Sequence, residues 1–123
     1  MIAISASELL VMKELWRNPA GLTTPEVIAR VRGVCDWDEN TVKTLLLRLV
    51  KKGAVEASGP KRAYVYRPLV AEDSYREEAA DSFVRQLFDS SAAQLMCFFA
   101  ERGKLSKQEI EQLKELLDKA ESK

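Results

Sequence analysis

The sequence predicts a mainly α-helical protein with one small β-hairpin, and three observations support this fold class. Apolar residues recur at helical spacing through most of the 123 residues. The helix-starting pattern S/T-x-x-E occurs at Ser5, Thr23 and Ser106, where each hydroxyl is expected to cap a helix. Residues 55–68 instead alternate apolar with polar side chains around a Gly-Pro turn, which is typical of a hairpin.

Three helices are expected before the hairpin. The first covers about residues 6–17 and ends before an Asn-Pro-Ala-Gly turn, and the second covers about residues 25–32 and has proline in its first turn. The third covers about residues 39–52. It begins after Asp36 or Asp38, either of which can cap it.

A β-hairpin with a basic tip is expected after the third helix. Its two arms flank residues 58–62, which include the Gly-Pro turn. Lys61 and Arg62 lie at this tip, and Pro68 closes the second arm because proline cannot donate to a strand ladder. The first 70 residues are therefore expected to run helix, helix, helix, hairpin.

The remainder of the chain is expected to be helical. Three helices are predicted over about residues 71–88, 91–102 and 107–119. The charge also changes sign near Val70, since residues 1–70 carry 11 basic and 7 acidic residues, net +4, and residues 71–123 carry 8 and 12, net −4. We therefore expect two domains, residues 1–70 and residues 71–123.

The third expected helix has two unlike faces. Five apolar residues form one stripe and are expected to pack inward: Val42, Leu45, Leu46, Leu49 and Val50. The opposite face holds an amide, a hydroxyl, cations and one leucine but no carboxylate: Asn40, Lys43, Thr44, Leu47, Arg48 and Lys51. Residues 40–68 as a whole contain seven basic residues against Glu56 alone, a charge density typical of a surface that binds a polyanion. Lys51 and Lys52 also lie in the last turn, where cations complement the helix dipole.

The predicted order of elements is that of a winged helix-turn-helix. A helix of this width fits the major groove of B-DNA, and the hairpin, or wing, contacts flanking phosphates or the minor groove. The expected DNA-binding residues lie on the third helix and at the wing tip: Asn40, Lys43, Thr44, Leu47, Arg48, Lys51, Lys61 and Arg62. Asn40, Lys43, Thr44 and Arg48 are expected to reach base edges or phosphates, and Thr44 or Leu47 to contact a thymine methyl. Lys51, Lys61 and Arg62 are expected to contact phosphates.

The expected C-terminal helices carry more apolar surface than they can bury among themselves. The stretch Leu95–Ala100 is apolar around the whole helix and must be covered on all sides. A second copy of the chain is the simplest cover, so we expect a two-fold homodimer formed through a C-terminal helical dimerisation domain. Its expected contacts are Phe83, Leu87, Leu95, Phe98, Phe99, Ile110, Leu113 and Leu117. The alternative is that these side chains pack only against the N-terminal domain of their own chain.

Over nearly its whole length the sequence resembles the penicillinase and methicillin-resistance repressors, the BlaI/MecI-type family. The matching stretches are ISASELLVMKELW, TTPEVIARV, TVKTLLLRLVKKG, YVYRPLV and KQEIEQLKELLDK. The resemblance implies a dimeric bacterial repressor that binds a double-stranded DNA operator with dyad symmetry, often governing β-lactamase or related genes. It also implies a partner protease linked to a membrane sensor, which inactivates the repressor by cleavage within its dimerisation helices.

The resemblance places the candidate cleavage bond between Phe98 and Phe99. In the best-known family members the cut lies between an asparagine and a phenylalanine followed by alanine. Here Phe99 and Ala100 match, whereas Phe98 replaces the asparagine. Because a protease binds extended backbone, a cut within a helix requires local opening first. The alternative is that both phenylalanines serve only in the core.

Other functional classes have little support in the sequence. The chain has no histidine and no glycine-rich phosphate loop, and its carboxylate cluster at residues 36–39 is explained by helix capping, so no enzyme activity is expected. Cys35 and Cys97 lie far apart and predict neither a disulfide, a metal site nor a cofactor.

Apolar runs are far shorter than the roughly 20 residues that a bilayer requires, and a targeting pattern is absent, so a cytoplasmic location without membrane contact is expected. Two alternatives stay open: a winged-helix regulator controlled by a small ligand, and a winged-helix module that contacts only proteins.

Overall fold

A computed structural model describes residues 2–122, which form helices and a three-stranded antiparallel sheet. The elements are α1 Ala6–Arg17, β1 Leu22–Thr23, α2 Thr24–Arg32, α3 Glu39–Lys51, β2 Val55–Ser58, β3 Val65–Pro68, α4 Glu72–Leu87, α5 Ala92–Glu101 and α6 Lys107–Glu121. A short 3₁₀ turn, Lys61–Ala63, connects β2 to β3. The chain divides into two compact units, one that runs through Glu78 and one that begins at Ala79. The mainly helical class with a hairpin wing is confirmed.

The helix starts follow the capping patterns of the sequence. Ser5, Thr23 and Ser106 each accept a hydrogen bond from the backbone of the glutamate three residues later, and that glutamate accepts one in return. Asp38, and not Asp36, caps α3, with its Oδ1 accepting from the N–H of Thr41 at 2.8 Å. Every predicted helix is present, with ends that differ by no more than two residues from those expected.

The sheet contains one strand more than the predicted hairpin. β1 pairs with β3, so that β3 is the central strand and Tyr66 lies opposite Leu22 on one side and Ala57 on the other. Gly21 directly precedes β1 and has φ +114°. A Cβ at this position would lie 2.5 Å from a methyl carbon of Val65, so only glycine fits here. A two-residue strand is too short to show alternation, and its partner lies about forty residues away, so the hairpin prediction was incomplete.

The core of the first unit lies where α1, α2 and α3 meet the base of the wing. Its largest fully buried apolar side chains are Met12, Leu15, Leu46, Leu49, Val11, Val27, Val31, Val42 and Val55. The predicted inward stripe of α3 is confirmed, since Val42, Leu45, Leu46 and Leu49 are buried and Val50 packs against them. Gly53 follows the helix with φ +80°, as expected for a left-handed C-terminal residue.

An ion pair between an exposed lysine and a buried glutamate joins α1 to the residue that follows α3. The Nζ of Lys52 donates to Oε1 of Glu8 at 2.6 Å and to the carbonyl oxygen of Ala3 at 2.8 Å. The side chain of Glu8 is 1% exposed, and its other oxygen has no partner among the described residues. Burial acts to raise the pKa of Glu8, but hydrogen bonds from Lys52 and Ser5 outweigh it and hold the pKa below its ordinary value. The helix dipole alone was therefore an incomplete account of Lys52.

We expect Lys52→Ala to lower the free energy of unfolding by about 1–3 kcal/mol, because it leaves a buried carboxylate without its cation. The stabilisation is complete above the pKa of Glu8 in the unfolded chain and is lost as pH falls through the lowered pKa of the folded chain. Chemical unfolding measured between about pH 7 and pH 3 tests both effects.

Lys51→Ala is the matched control, because Lys51 is the adjacent lysine and makes no ion pair with a described residue. It should leave the unfolding free energy within about 0.5 kcal/mol of the parent chain. Two results would show that the ion pair contributes nothing to stability. One is equal stability of the two variants. The other is a Lys52→Ala chain that loses as much stability on acidification as the parent chain does.

The second unit is helical and holds a cluster of aromatic rings. Phe88 lies 6.0 Å from Phe83 and 5.6 Å from Phe98, measured between ring centroids, and the guanidinium carbon of Arg102 lies 3.8 Å from the centroid of the Phe98 ring. None of the described residues 79–122 is fully buried. Within the described part of the chain, no helix is both long and apolar enough to cross a membrane.

Candidate nucleic-acid interface

The outer face of α3 is exposed along its whole length. All six polar-face residues are exposed to solvent: Asn40, Lys43, Thr44, Leu47, Arg48 and Lys51. Leu47 is 55% exposed, whereas Val42 and Leu49 on the inner face are 0% exposed. An exposed leucine among cations is not explained by packing within the domain. This face is therefore available to a partner outside the first unit.

Five of the six residues of this face fall into two rows, one on each side of the helix. Lys43 and Leu47 line a groove toward the wing, whose other walls include Tyr64 and Tyr66. Asn40, Thr44 and Arg48 line a groove on the other side. The first row offers an ammonium beside an apolar surface, which suits a base-pair edge next to a thymine methyl. The second offers amide and guanidinium donors, which suit base acceptors and phosphates.

Thr44 has less hydrogen-bonding capacity than the sequence indicated. Its hydroxyl donates to the carbonyl oxygen of Asn40 at 2.8 Å, within the same helix. The proton is therefore engaged, and the side chain presents its methyl group and the lone pairs of its oxygen. A thymine methyl or a cytosine amino group fits that surface better than a guanine acceptor does.

A basic groove joins α2, the start of α3 and the wing tip. Its cationic lining residues are Arg32, Lys43, Lys61 and Arg62, and Thr24 and Pro25 contribute the N-terminal turn of α2. The positive end of the α2 dipole also favours anions here, although Pro25 has no backbone N–H and the N–H of Glu26 donates to Thr23. One carboxylate, that of Glu39, also lines the groove. The arrangement suits the phosphates of a nucleic-acid backbone.

Sequence reasoning missed Arg32 and Thr24. Arg32 lies in the last turn of α2, where its local role is to complement the helix dipole. Its place beside Lys61 and Arg62 depends on how the wing folds back onto α2, which is a tertiary feature. The one signal available was a basic residue at the very end of α2, directly before the loop to α3.

Arg67 braces the wing and is not a free cation. Its Nε donates to the carbonyl oxygen of Ala20 at 3.1 Å, and its NH1 donates to Oγ of Ser58 at 2.7 Å. These two bonds connect β3 to the turn before β1 and to the end of β2. Arg67 contributed to the basic count of residues 40–68, but its side chain is committed to the wing itself.

The exposed apolar residues of the second unit include most of the expected dimerisation set. Phe83, Leu87, Phe98, Phe99, Ile110 and Leu117 are between 37% and 64% exposed. Leu95 and Leu113 are half-buried. Leu116 and Met96, which the sequence analysis did not include, are 60% and 43% exposed. The Phe98–Phe99 bond lies within α5, in helical backbone.

A metal centre has no support from the geometry. Within residues 2–122, no three His, Cys, Asp or Glu side chains are grouped so that they can hold a metal ion. Cys35 packs beside the core and Cys97 is exposed, and both are free thiols.

The fold and the basic face define a winged-helix protein of the DNA-binding type. The family model described as penicillinase repressor matches residues 4–119, and the chain belongs to this family. This is a family of transcriptional repressors and not of enzymes, in agreement with the sequence analysis.

Individual relatives agree with this assignment. The chain is 35% identical over 115 residues to the penicillinase repressor of Bacillus licheniformis, covering 94% of this chain and 89% of that protein. It is 28% identical over 116 residues to the methicillin resistance regulatory protein MecI of Staphylococcus aureus, covering 94% of each. The solution structure of the Bacillus licheniformis BlaI monomeric form in complex with the blaP half-operator superposes with a TM-score of 0.53 at 39% identity, covering 61% of this chain and 92% of that one.

Proposed function

We propose that this chain is a transcriptional repressor that binds a dyad-symmetric DNA operator as a homodimer. The observation that carries the proposal is the exposed basic surface formed by the outer face of α3, Arg32 of α2 and the wing tip. Two copies related by a two-fold axis read two inverted half-sites, whose centres lie about 34 Å, or a multiple of it, apart.

Each row of α3 has a distinct part in reading a half-site. Lys43 and Arg48 donate to guanine O6 and N7, and Asn40 pairs with adenine. Leu47, with Tyr64 and Tyr66 beside it, receives a thymine methyl. These contacts carry sequence information because they address base edges in the major groove.

The phosphate contacts surround this reading surface. Lys61 and Arg62 on the wing tip, Arg32 on α2 and Lys51 at the end of α3 supply the charge for these contacts. They contribute affinity and salt dependence without sequence preference, since every phosphate is alike.

Dimerisation occurs through residues 71–123 in this proposal, and residues 1–70 form the DNA-binding domain. The exposed apolar residues of α4, α5 and α6 support it, because exposed apolar surface of this extent is typical of protein–protein contacts. The eight expected contacts, from Phe83 to Leu117, together with Leu116 and Met96, then become the interface between two copies.

Proteolysis of the Phe98–Phe99 bond is the proposed route of inactivation. A cut there divides α5, and with it the apolar surface that holds the dimer together. The protease must first unwind α5, because the bond lies in hydrogen-bonded helix. If the protein is recovered from cells exposed to a β-lactam, mass spectrometry should find a fragment ending at Phe98. Derepression with an intact chain would exclude this route.

Selection from a random DNA pool tests the proposed function. The purified chain should enrich a dyad-symmetric sequence, and its affinity should fall steeply with salt concentration. A small-ligand regulator would also enrich DNA but would release it when the ligand is added. A module that contacts only proteins would enrich no sequence at any salt concentration, and that result would refute the proposal.

Lys51→Ala should weaken binding about equally for all DNA sequences and reduce the slope of log affinity against log salt by about 0.9, the value for one phosphate contact. Fluorescence anisotropy with the selected duplex at several salt concentrations measures the slope. The neighbouring variant Lys52→Ala should leave the slope unchanged, because that ammonium is held by Glu8. Equal slopes for the Lys51→Ala and parent chains would remove Lys51 from the interface.

A further inference from the structure

Glu39 is the acidic residue of the basic groove that joins α2, the start of α3 and the wing tip. The other charged residues that line this groove are cations: Arg32, Lys43, Lys61 and Arg62. Glu39 is exposed, and among the described residues it forms no ion pair with any of them. Its carboxylate is therefore available to whatever occupies the groove.

Helix capping does not account for Glu39. The cluster at residues 36–39 holds three carboxylates, and it is Asp38 that caps α3, by accepting from the N–H of Thr41. Glu39 lies in the first turn, where a negative charge complements the helix dipole. The dipole explains a carboxylate in this turn, but it does not explain one placed among the cations of a groove that suits nucleic acid.

The position of Glu39 on α3 favours contact with base edges. It is the first residue of the helix and shares a face with Lys43, four residues later. In helix-turn-helix proteins the N-terminal residues of the recognition helix contact base edges. Four residues correspond to about 6 Å along a helix, and successive base pairs are about 3.4 Å apart. Glu39 and Lys43 are therefore expected to contact base pairs no more than about two steps apart.

The chemistry of a carboxylate selects one kind of base edge. An ionised carboxylate only accepts hydrogen bonds, so phosphate oxygens, the acceptors of guanine and O4 of thymine all repel it. The major groove offers two donors, the amino groups N4 of cytosine and N6 of adenine. In adenine the N7 acceptor lies beside the amino group, whereas cytosine presents no acceptor there. Cytosine is therefore the base that suits Glu39.

We infer that Glu39 determines specificity by accepting a hydrogen bond from the amino group of one cytosine in each half-site, an inference that rests on the proposed function. The cations of the groove raise the affinity for every DNA sequence. Glu39 lowers it for sequences that place an acceptor or a phosphate against the carboxylate. An attractive contact to the right base and a repulsive one to the others together increase the ratio of specific to non-specific affinity.

Two substitutions separate the charge of Glu39 from its hydrogen bond. Glu39→Gln is isosteric and neutral, and its amide both donates and accepts. Glu39→Asp keeps the charge but shortens the side chain by one methylene. Each full-length chain is titrated by fluorescence anisotropy with three kinds of duplex. These are the selected operator, a set in which each base pair of the half-site is exchanged in turn, and a scrambled sequence.

Glu39→Gln should bind the scrambled duplex at least about threefold more tightly than the parent chain, because a charge that repels phosphates is removed. At one cytosine of the half-site, exchange for thymine should weaken the parent chain by at least about fivefold and Glu39→Gln by less than about twofold. This position should lie within about two base pairs of the one at which Lys43→Ala relaxes the preference. Glu39→Asp should also lose the cytosine preference, but it should bind the scrambled duplex as weakly as the parent chain.

Asp36→Asn is the matched control, because it removes an exposed carboxylate of the same cluster that does not line the groove. It should keep the parent preference at every base pair, and any effect of its lost charge should be equal on operator and scrambled DNA. Thermal denaturation of Glu39→Gln should show a melting temperature close to that of the parent chain, because Asp38 keeps the cap.

The outcomes distinguish a reading contact from a general charge effect. Loss of one cytosine preference together with tighter binding to scrambled DNA supports the inference. Three results would overturn it and leave the proposed function intact: an equal gain on operator and scrambled DNA, no change on either, or a preference for adenine at the affected position. A parent chain that enriches no dyad-symmetric sequence would instead refute the proposed function.

Discussion

Leu117→Glu is expected to convert the proposed dimer to a monomer and to lower operator affinity by about 100-fold or more. Leu117 is 56% exposed in the single chain, so a carboxylate at this position costs the monomer little. At a buried apolar interface the same charge is desolvated without a partner. Once the two DNA-binding domains are separated, the second half-site no longer binds intramolecularly, and the affinity gained by that tethering, about 10² or more, is lost. Sedimentation equilibrium and anisotropy on the selected operator measure the two effects.

Leu69→Glu is the matched control. Leu69 is 57% exposed but lies in the first unit, between β3 and α4. It should leave the oligomeric state unchanged. A Leu117→Glu chain that stays dimeric and binds as tightly as the parent would remove α6 from the interface, and the covered surface would then have to be sought elsewhere on the chain.

Lys43→Ala and Arg48→Ala are each expected to weaken operator binding by about 5- to 150-fold, which corresponds to 1–3 kcal/mol for a lost base contact. The melting temperature should not change, because both side chains are exposed and lie opposite the buried stripe of α3. The two residues belong to different rows of the helix, so each variant should relax the preference at a different position of the half-site.

Titration of operator variants by anisotropy, with thermal denaturation of each protein, tests this prediction. Lys13→Ala serves as the control for removal of an exposed cation from another helix of the same unit. If either variant melts markedly lower than the parent, the two faces of α3 have been assigned incorrectly. If both weaken all sequences equally, Lys43 and Arg48 contact phosphates and not bases.

Much of the first unit could be predicted from the sequence because its signals are local. A capping box operates within four residues, and the inner stripe of α3 repeats every three or four, so Ser5, Thr23, Val42 and Leu49 needed no knowledge of distant parts of the chain. The same periodicity identified the exposed cations of α3. The charge imbalance of residues 40–68 then indicated a polyanion partner without any coordinates.

Tertiary structure decided the features that depend on residues far apart in the chain. Lys51 and Lys52 are adjacent and chemically identical, yet only Lys52 meets Glu8, 44 positions away. Arg67 resembles the other basic residues of the wing until Ala20 and Ser58 are placed beside it. The role of a charged side chain is set by what surrounds it in space.

The amino-acid sequence by itself determined the helices, the three capping boxes, the buried and exposed faces of α3 and the family to which the chain belongs. Only the tertiary structure decided that β1 completes the sheet, that Arg32 joins the wing-tip cations, and that Trp16 and Tyr75 hold the start of α4. The physical reason is the range of the interactions. Hydrogen bonds and side-chain contacts within one helical turn are encoded by neighbouring residues, whereas strand pairing, ion pairs and aromatic contacts between elements arise only when the whole chain packs.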